Sequence, residues 1–111
     1  IQKWASEAIS IPYRDPLTGR NTIYVPDFFI QYVDNTGKIL VELIEIKPAS
    51  QCEMPKEPKR KTKSYVNAIQ TFMVNKAKWD TTNLICENYR KQGKDVSFIV
   101  ITEKDAPWFL N

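Results

Sequence analysis

The tripeptide Asn35-Thr36-Gly37, set between two runs of β-branched and aromatic residues, constrains this chain more than any other feature. It reads as a three-residue hairpin loop with Gly37 in the left-handed position, so Asp34 faces Lys38 and the register of the flanking strands is set. Counting outward at constant index sum pairs Val33 with Ile39, Gln31 with Val41, Phe29 with Leu43, Asp27 with Glu45 and Val25 with Lys47. Directly opposed side chains have Cβ atoms ~5 Å apart. This register puts two carboxylates, Asp27 and Glu45, against each other among mostly apolar neighbours, where water screens their repulsion weakly. A divalent cation shared by the pair removes the conflict. Lys47 follows on the same strand face as Glu45.

The rest of the chain supplies a sheet and a helix for that hairpin. Ala8 to Tyr13 alternates and predicts a short strand ending near Arg14, followed by a turn over Asp15-Pro16-Leu17-Thr18-Gly19. Thr22 to Val33 predicts a second strand, with Pro26 interrupting its ladder at an edge or a bulge. Lys38 to Lys47 predicts a third, apolar on both faces and therefore central. Pro48 to Pro58, with three prolines and two glutamates, predicts a loop. Thr62 to about Gln92 predicts a helix with Tyr65, Ile69, Phe72 and Met73 at i, i+4, i+7 and i+8. Gly93 stops it, and Asn75 marks a bend or a new cap between two helices. Asp95 to Thr102 predicts a buried strand, and Thr102 with Asp105 fits the start of a short terminal helix. A helical crossover after a hairpin returns the last strand in parallel. The expected fold is α/β with a mixed sheet: a three-stranded antiparallel meander, a helical crossover and a parallel fourth strand.

At 111 residues, the whole of 1–111 is expected to form one domain. The chain has no histidine, which removes imidazole mechanisms and zinc sites of the usual spacing. Cys52 and Cys86 lie in unlike contexts, argue against a disulfide scaffold and have no assigned role. No apolar run approaches the ~20 residues of a membrane span and no signal-peptide pattern is visible. A soluble, intracellular protein with no membrane partner is expected. Net charge is only +3, but its distribution is uneven. Lys59-Arg60-Lys61-Thr62-Lys63 is a compact basic run, preceded by Lys56 and followed by Lys76 and Lys78.

Cleaving a phosphodiester needs neutralised phosphoryl oxygens, a nucleophilic water and a stabilised leaving oxygen. Asp27 and Glu45 are hard oxygen donors suited to Mg2+, with the Ile46 carbonyl as a further ligand. The Lys47 ammonium is placed to orient the attacking water or stabilise charge at phosphorus. Asp27, Glu45 and Lys47 are thus the candidate catalytic residues. A short D…E-x-K pattern also occurs as an exposed ion-pair cluster. Pro26 before the aspartate, the facing register and the apolar surroundings set this one apart. Beside such a centre the basic run reads as a phosphate-binding surface.

With Pro26-Asp27 and Glu45-Ile46-Lys47 on adjacent strands, the chain resembles the PD-(D/E)xK nuclease superfamily. Within it, the chain is similar to the head completion nucleases of T-even-type tailed phages. Trp4-Ala5-Ser6-Glu7 leading to Ile11-Pro12-Tyr13, then Ile44-Glu45-Ile46-Lys47-Pro48, Asn75 and Lys78-Trp79 carry that similarity. The resemblance implies a restriction-endonuclease-like core of helix, three-stranded meander, helix and strand. It also implies endonuclease chemistry on DNA with Mg2+, for which Mn2+ substitutes, and a role in finishing the DNA-filled head before tail attachment. The expected locations are the host cytoplasm during assembly and the virion head or neck, with portal, neck or capsid proteins as partners.

Ile1 reads as the middle of an element, so the chain is expected to be N-terminally incomplete, with the family's first helix and its additional acid upstream. Glu7 stands as a candidate substitute ligand or supporting acid, and equally as an exposed glutamate ahead of a strand. Lys59, Arg60, Lys61, Lys63, Asn67, Asn75 and Lys78 are the candidate DNA contacts. Trp79 is read as a core or interface anchor. Two other functions share these residues: a catalytically inactive virion adaptor that keeps the nuclease fold, and a nuclease subunit of a transposition or restriction system.

Overall fold

The computed structural model describes residues 3–105. Within them the chain forms β1 (Lys3–Ser6), β2 (Ile11–Arg14), β3 (Asn21–Tyr24), β4 (Phe28–Val33), β5 (Ile39–Ile46), a 3-10 turn (Ala49–Gln51), α1 (Lys63–Lys91) and β6 (Asp95–Ile101). The β4–β5 turn is built by Asp34. Its Oδ1 accepts from the Thr36 amide at 2.8 Å, the Thr36 hydroxyl at 2.6 Å and the Lys38 amide at 3.1 Å. Gly37 takes φ +83°, a conformation that costs other residues ~1–2 kcal/mol. The strands then pair from Val33 with Ile39 out to Phe28 with Ile44, the register expected from the turn.

The main sheet has the order β1-β4-β5-β6, with β1, β4 and β5 antiparallel and β6 parallel to β5. The expected mixed sheet therefore stands, but its outer strand does not come from the segment 8–14. Lys3–Ser6 takes that place, pairing Lys3 with Gln31 through Ser6 with Phe28. The expected strand 22–33 is two strands, broken at 25–27, and β2 and β3 pair with each other as a separate two-stranded sheet. Pro26 is the reason. It has no N–H for a ladder and a fixed φ, so the chain leaves one sheet there and enters the other.

Phe29, Leu43, Val96 and Phe98 share one face of the main sheet, and the core forms between that face, α1 and the β2–β3 hairpin. Ile11, Tyr13 and Tyr24 from the hairpin and Cys86 from the helix are buried there, with Ala77, Trp79 and Ile85 packed against them. Helix α1 is the crossover that makes β6 parallel to β5. Thr62 Oγ1 caps it by accepting from the Tyr65 amide at 3.2 Å. It ends in a Schellman arrangement, with Lys94 N–H on the Tyr89 carbonyl and Gly93 N–H on the Arg90 carbonyl, both at 3.0 Å. The helix runs 29 residues without a break. Asn75 neither bends nor caps it, because its side chain is buried against the body of the protein.

The loop after β5 is tied to the end of β6: the Ala49 amide donates to Glu103 Oε2 at 2.9 Å. The Thr102 amide donates to Asp105 Oδ2 at 2.9 Å, the reciprocal bond of a helix start, and the terminal helix expected beyond it lies outside the described residues. No helix among the described residues is long and apolar enough to cross a membrane.

Two substitutions test this framework. Gly93→Ala, forced to keep φ +85°, is expected to lower unfolding free energy by ~1 kcal/mol in urea titrations. Donors around Asp34, the Thr36 hydroxyl foremost, hold its carboxyl below its ordinary 3.8. Such a group contributes stability above that value and loses it as the pH falls through the lower, native value. Asp34→Ala is therefore expected to lower the melting temperature at neutral pH, with the gap narrowing once the pH drops below 3.8.

Candidate active site

Asp27 stands one step beyond the last β4–β5 pair. The Asp34 amide bonds to the Lys38 carbonyl at 3.0 Å, and from there hydrogen-bonded and non-hydrogen-bonded pairs alternate along the hairpin. Continued one step past the ladder, the alternation would set Asp27 and Glu45 at a non-hydrogen-bonded pair and Pro26 at the bonding position opposite Ile46, and Asp27 does lie beside Glu45. Pro26 has no N–H to give the Ile46 carbonyl. In place of a cross-strand acceptor, the Ile46 amide finds Asp27 Oδ2 at 2.8 Å. By the same alternation the Ile46 carbonyl would face that edge as well. On the other side of β4 the Asp27 carbonyl accepts from the Glu7 amide at 3.0 Å.

Glu45 is only 4% exposed. Its Oε1 is buried without a hydrogen-bond partner, and its Oε2 lies 3.6 Å from Lys47 Nζ. Burial pushes its carboxyl above the ordinary 4.5, Asp27 adds to the rise, and Tyr24 and Lys47 oppose it. Tyr24 arrives from the end of β3. Burial and then Glu45 drive its phenol far above its usual range, while the Trp79 indole works the other way. Tyr24 is thus beside both groups, yet its hydroxyl, Glu45 Oε1 and Trp79 Nε1 do not reach hydrogen-bonding geometry. Among the described residues the other buried side-chain atom without a partner is Asn75 Nδ2, one helical turn from Trp79. An unpaired buried polar atom costs ~1–3 kcal/mol. One of the four is the Glu45 carboxylate's own oxygen, the Tyr24 hydroxyl adjoins it and the Trp79 indole adjoins Tyr24, so three of them form one cluster.

The structure brings Asp27, Glu45, Ile46 and Lys47 together at one strand end. Lys78 is close by, its ammonium 5.7 Å from the centroid of the Tyr24 ring. Asn67, Gln70, Asn75 and Lys78 line one side of a groove of about 370 Å³, with Leu17 of the β2–β3 turn on the other. Glu7 offers its backbone to Asp27, takes an unusual φ of 53°, and leaves its side chain exposed. No group of three or more carboxylate, cysteine or histidine side chains forms among the described residues. Lys59, Arg60, Lys61 and Lys63 are exposed at the far end of α1, ~22 Å along its axis from Lys78. Tyr24 has no signal in the linear pattern, and Trp79, expected as a core anchor, also faces the site.

The donor set fits a small, hard divalent cation. Two opposed carboxylates and a backbone carbonyl without a ladder donor are all oxygen, the chemistry of Mg2+ and Mn2+ sites. The unpartnered Glu45 Oε1 is the observation that carries this fit. One consequence is measurable without any ion. A carboxyl held above 4.5 favours the folded state when protonated, so its ionisation destabilises the fold as pH rises through that value. In EDTA, Glu45→Gln is expected to melt above the parent at neutral pH. The gain should grow as pH rises from 4.5 and level off once the native carboxyl is ionised. A variant less stable than the parent at neutral pH contradicts the burial argument.

The Head completion nuclease of Enterobacteria phage T4 is 32% identical over 107 residues, which cover 93% of this chain. The match spans 65% of that relative's length. No solved structure matches the chain. The family model for the TnsA-like endonuclease N-terminal domain matches residues 1–103, a stretch that contains every strand, the helix and all four residues of the strand-end cluster. The chain belongs to the TnsA-like endonuclease N-terminal family.

Proposed function

We propose that this chain carries the active site of a DNA endonuclease that hydrolyses phosphodiester bonds with Mg2+, or Mn2+ in its place, and acts in completing phage heads. The observation that carries the proposal is the nearness of Asp27 to Glu45 at one strand end, with a buried and unpartnered oxygen on Glu45. The likeness to a head completion nuclease over most of the chain supports the biological setting. In that setting DNA is the substrate, portal, neck or capsid proteins are the partners, and the host cytoplasm and the virion head or neck are the locations.

Asp27 and Glu45, with the Ile46 carbonyl, would hold the cation. When bound, a divalent ion polarises the phosphoryl oxygens and lowers the pKa of a ligated water. The chain supplies the rest. Asp27 is fixed by the Ile46 amide, so its carboxylate needs no reorganisation to serve as a ligand. Lys47 Nζ sits beside Glu45 Oε2 on a side chain one-third exposed, reaching both the carboxylate and incoming DNA. It orients the attacking water or stabilises charge gathering on phosphorus. Lys78 and Asn75 line the groove that leads toward Tyr24 and contact the strand next to the cut. The basic run at the start of α1 contacts phosphates ~6 nucleotides away, at ~3.4 Å per nucleotide along one strand.

A nuclease subunit of a transposition system would use the same residues, and the TnsA-like family match favours that second reading over the others. Neighbouring genes separate the two: capsid and tail genes support head completion, whereas transposase genes support transposition.

Nicking of supercoiled DNA in Mg2+ measures the chemistry directly. Asp27→Ala and Lys47→Ala are each expected to lower the rate at least ~100-fold with the fold intact. Undiminished cutting by both variants overturns the assignment. Lys78→Ala is expected to weaken DNA binding and to reduce the slope of log K against log salt by ~0.9, the share of one phosphate contact.

A further inference from the structure

The two proposed carboxylate ligands are held very differently. Asp27 receives a backbone amide at 2.8 Å. Glu45 receives none: its Oε1 is unpartnered, and its Oε2 lies 3.6 Å from a lysine that must also face DNA. A metal-bound carboxylate is ordinarily fixed by a hydrogen bond from outside the coordination sphere. The groups able to supply one are already in place.

Tyr24 presents a buried hydroxyl beside Glu45 and Trp79 a buried indole N–H beside Tyr24, and neither has a hydrogen-bond partner. Their chemistry allows a single order of connection. An indole N–H only donates, an ionised carboxylate only accepts, and a phenol does both. The chain must run from Trp79 Nε1 to the Tyr24 oxygen, and from the Tyr24 O–H to Glu45. The Tyr24 ring is held for this task. It is 4% exposed, stands edge-on to Phe98 with centroids 6.3 Å apart, and carries the Lys78 ammonium over its face.

We propose that Tyr24 is a positioning residue: its hydroxyl, oriented by the Trp79 indole, donates to Glu45 and fixes that carboxylate toward Asp27 and Lys47 for cation binding. The proposal rests on the reading of Glu45 as a cation ligand. It also gives the β2–β3 hairpin a purpose beyond covering the core, since the hairpin delivers Tyr24 to a strand end to which it is not paired. Lys78 lines the proposed DNA groove and sits on the Tyr24 ring, so strand binding and ligand placement meet at one side chain.

Calorimetric titration of the full chain with Mn2+, in the absence of DNA, tests the proposal. Tyr24→Phe removes one oxygen and keeps the ring. It is expected to retain the far-ultraviolet dichroism of the parent and to bind Mn2+ ~10- to 100-fold more weakly. Trp79→Phe is expected to shift the affinity in the same direction by less. The double variant should lose no more than Tyr24→Phe alone, because the indole acts through the phenol. In heteronuclear spectra, the Trp79 indole N–H resonance, assigned by its loss in Trp79→Phe, should move when Mg2+ is added. That readout holds even if Tyr24→Phe fails to fold. Unchanged Mn2+ affinity in Tyr24→Phe, additive losses in the double variant, or a stationary indole resonance in a parent that binds Mn2+ each overturn the positioning role alone. Absence of Mn2+ binding by the parent overturns the reading of Glu45 as a ligand, and the positioning role with it.

Discussion

The hydrogen bond from the Ile46 amide to Asp27 Oδ2 is the contact on which the site depends. Pro26 occupies the ladder position opposite Ile46 and brings no N–H, so the hairpin cannot end there in the ordinary way. The Ile46 carbonyl is left without a ladder donor, and the Ile46 amide donates instead to the Asp27 side chain. That one substitution of carboxylate for backbone holds the aspartate in place beside Glu45. All of this requires the register fixed by Asp34 and Gly37 at the other end of the hairpin. A slip of one residue would move Asp27 and Glu45 to opposite faces of the sheet.

The remaining elements serve that strand end. Helix α1 covers the sheet and returns the chain to β6, but its buried face also carries Asn75, Lys78 and Trp79 toward the site. The β2–β3 hairpin contributes Ile11, Tyr13 and Tyr24 to the core and aims the last of these at Glu45. The result is a small core that tolerates several unpaired polar atoms in one neighbourhood. Folding alone would favour apolar residues there, since each unsatisfied buried group costs stability. Their concentration around one carboxylate fits the proposed ligand site, at some expense in stability.

Much of this was legible in the sequence, because the relevant physics is local. A strand has a side-chain period of two and a three-residue loop has one register, so Asp27, Glu45 and Lys47 could be placed on one face by counting. The helix start near Thr62 and the stop at Gly93 likewise depend on nearby residues. What escaped depends on distant ones. Lys3–Ser6 is too short to alternate visibly and becomes a strand only by pairing with β4. Pro26 reads as an interruption in the sequence, but its effect, sending the chain from one sheet to the other, depends on the second sheet. Asn75 looked like a cap because asparagine favours caps, and tertiary burial overrode that preference. Tyr24 and Trp79 lie far apart in sequence, and no spacing rule could have joined them.

The central claim is that Asp27, Glu45 and the Ile46 carbonyl form one cation site. Anomalous diffraction from crystals soaked in Mn2+ addresses it most directly. A single strong peak within ligand distance of both carboxylates and the Ile46 carbonyl, with Glu45 Oε1 or Oε2 bound, is the predicted result. Full occupancy elsewhere, with the Asp27–Glu45 pair bare and Glu45 Oε1 still unpartnered, would contradict the account.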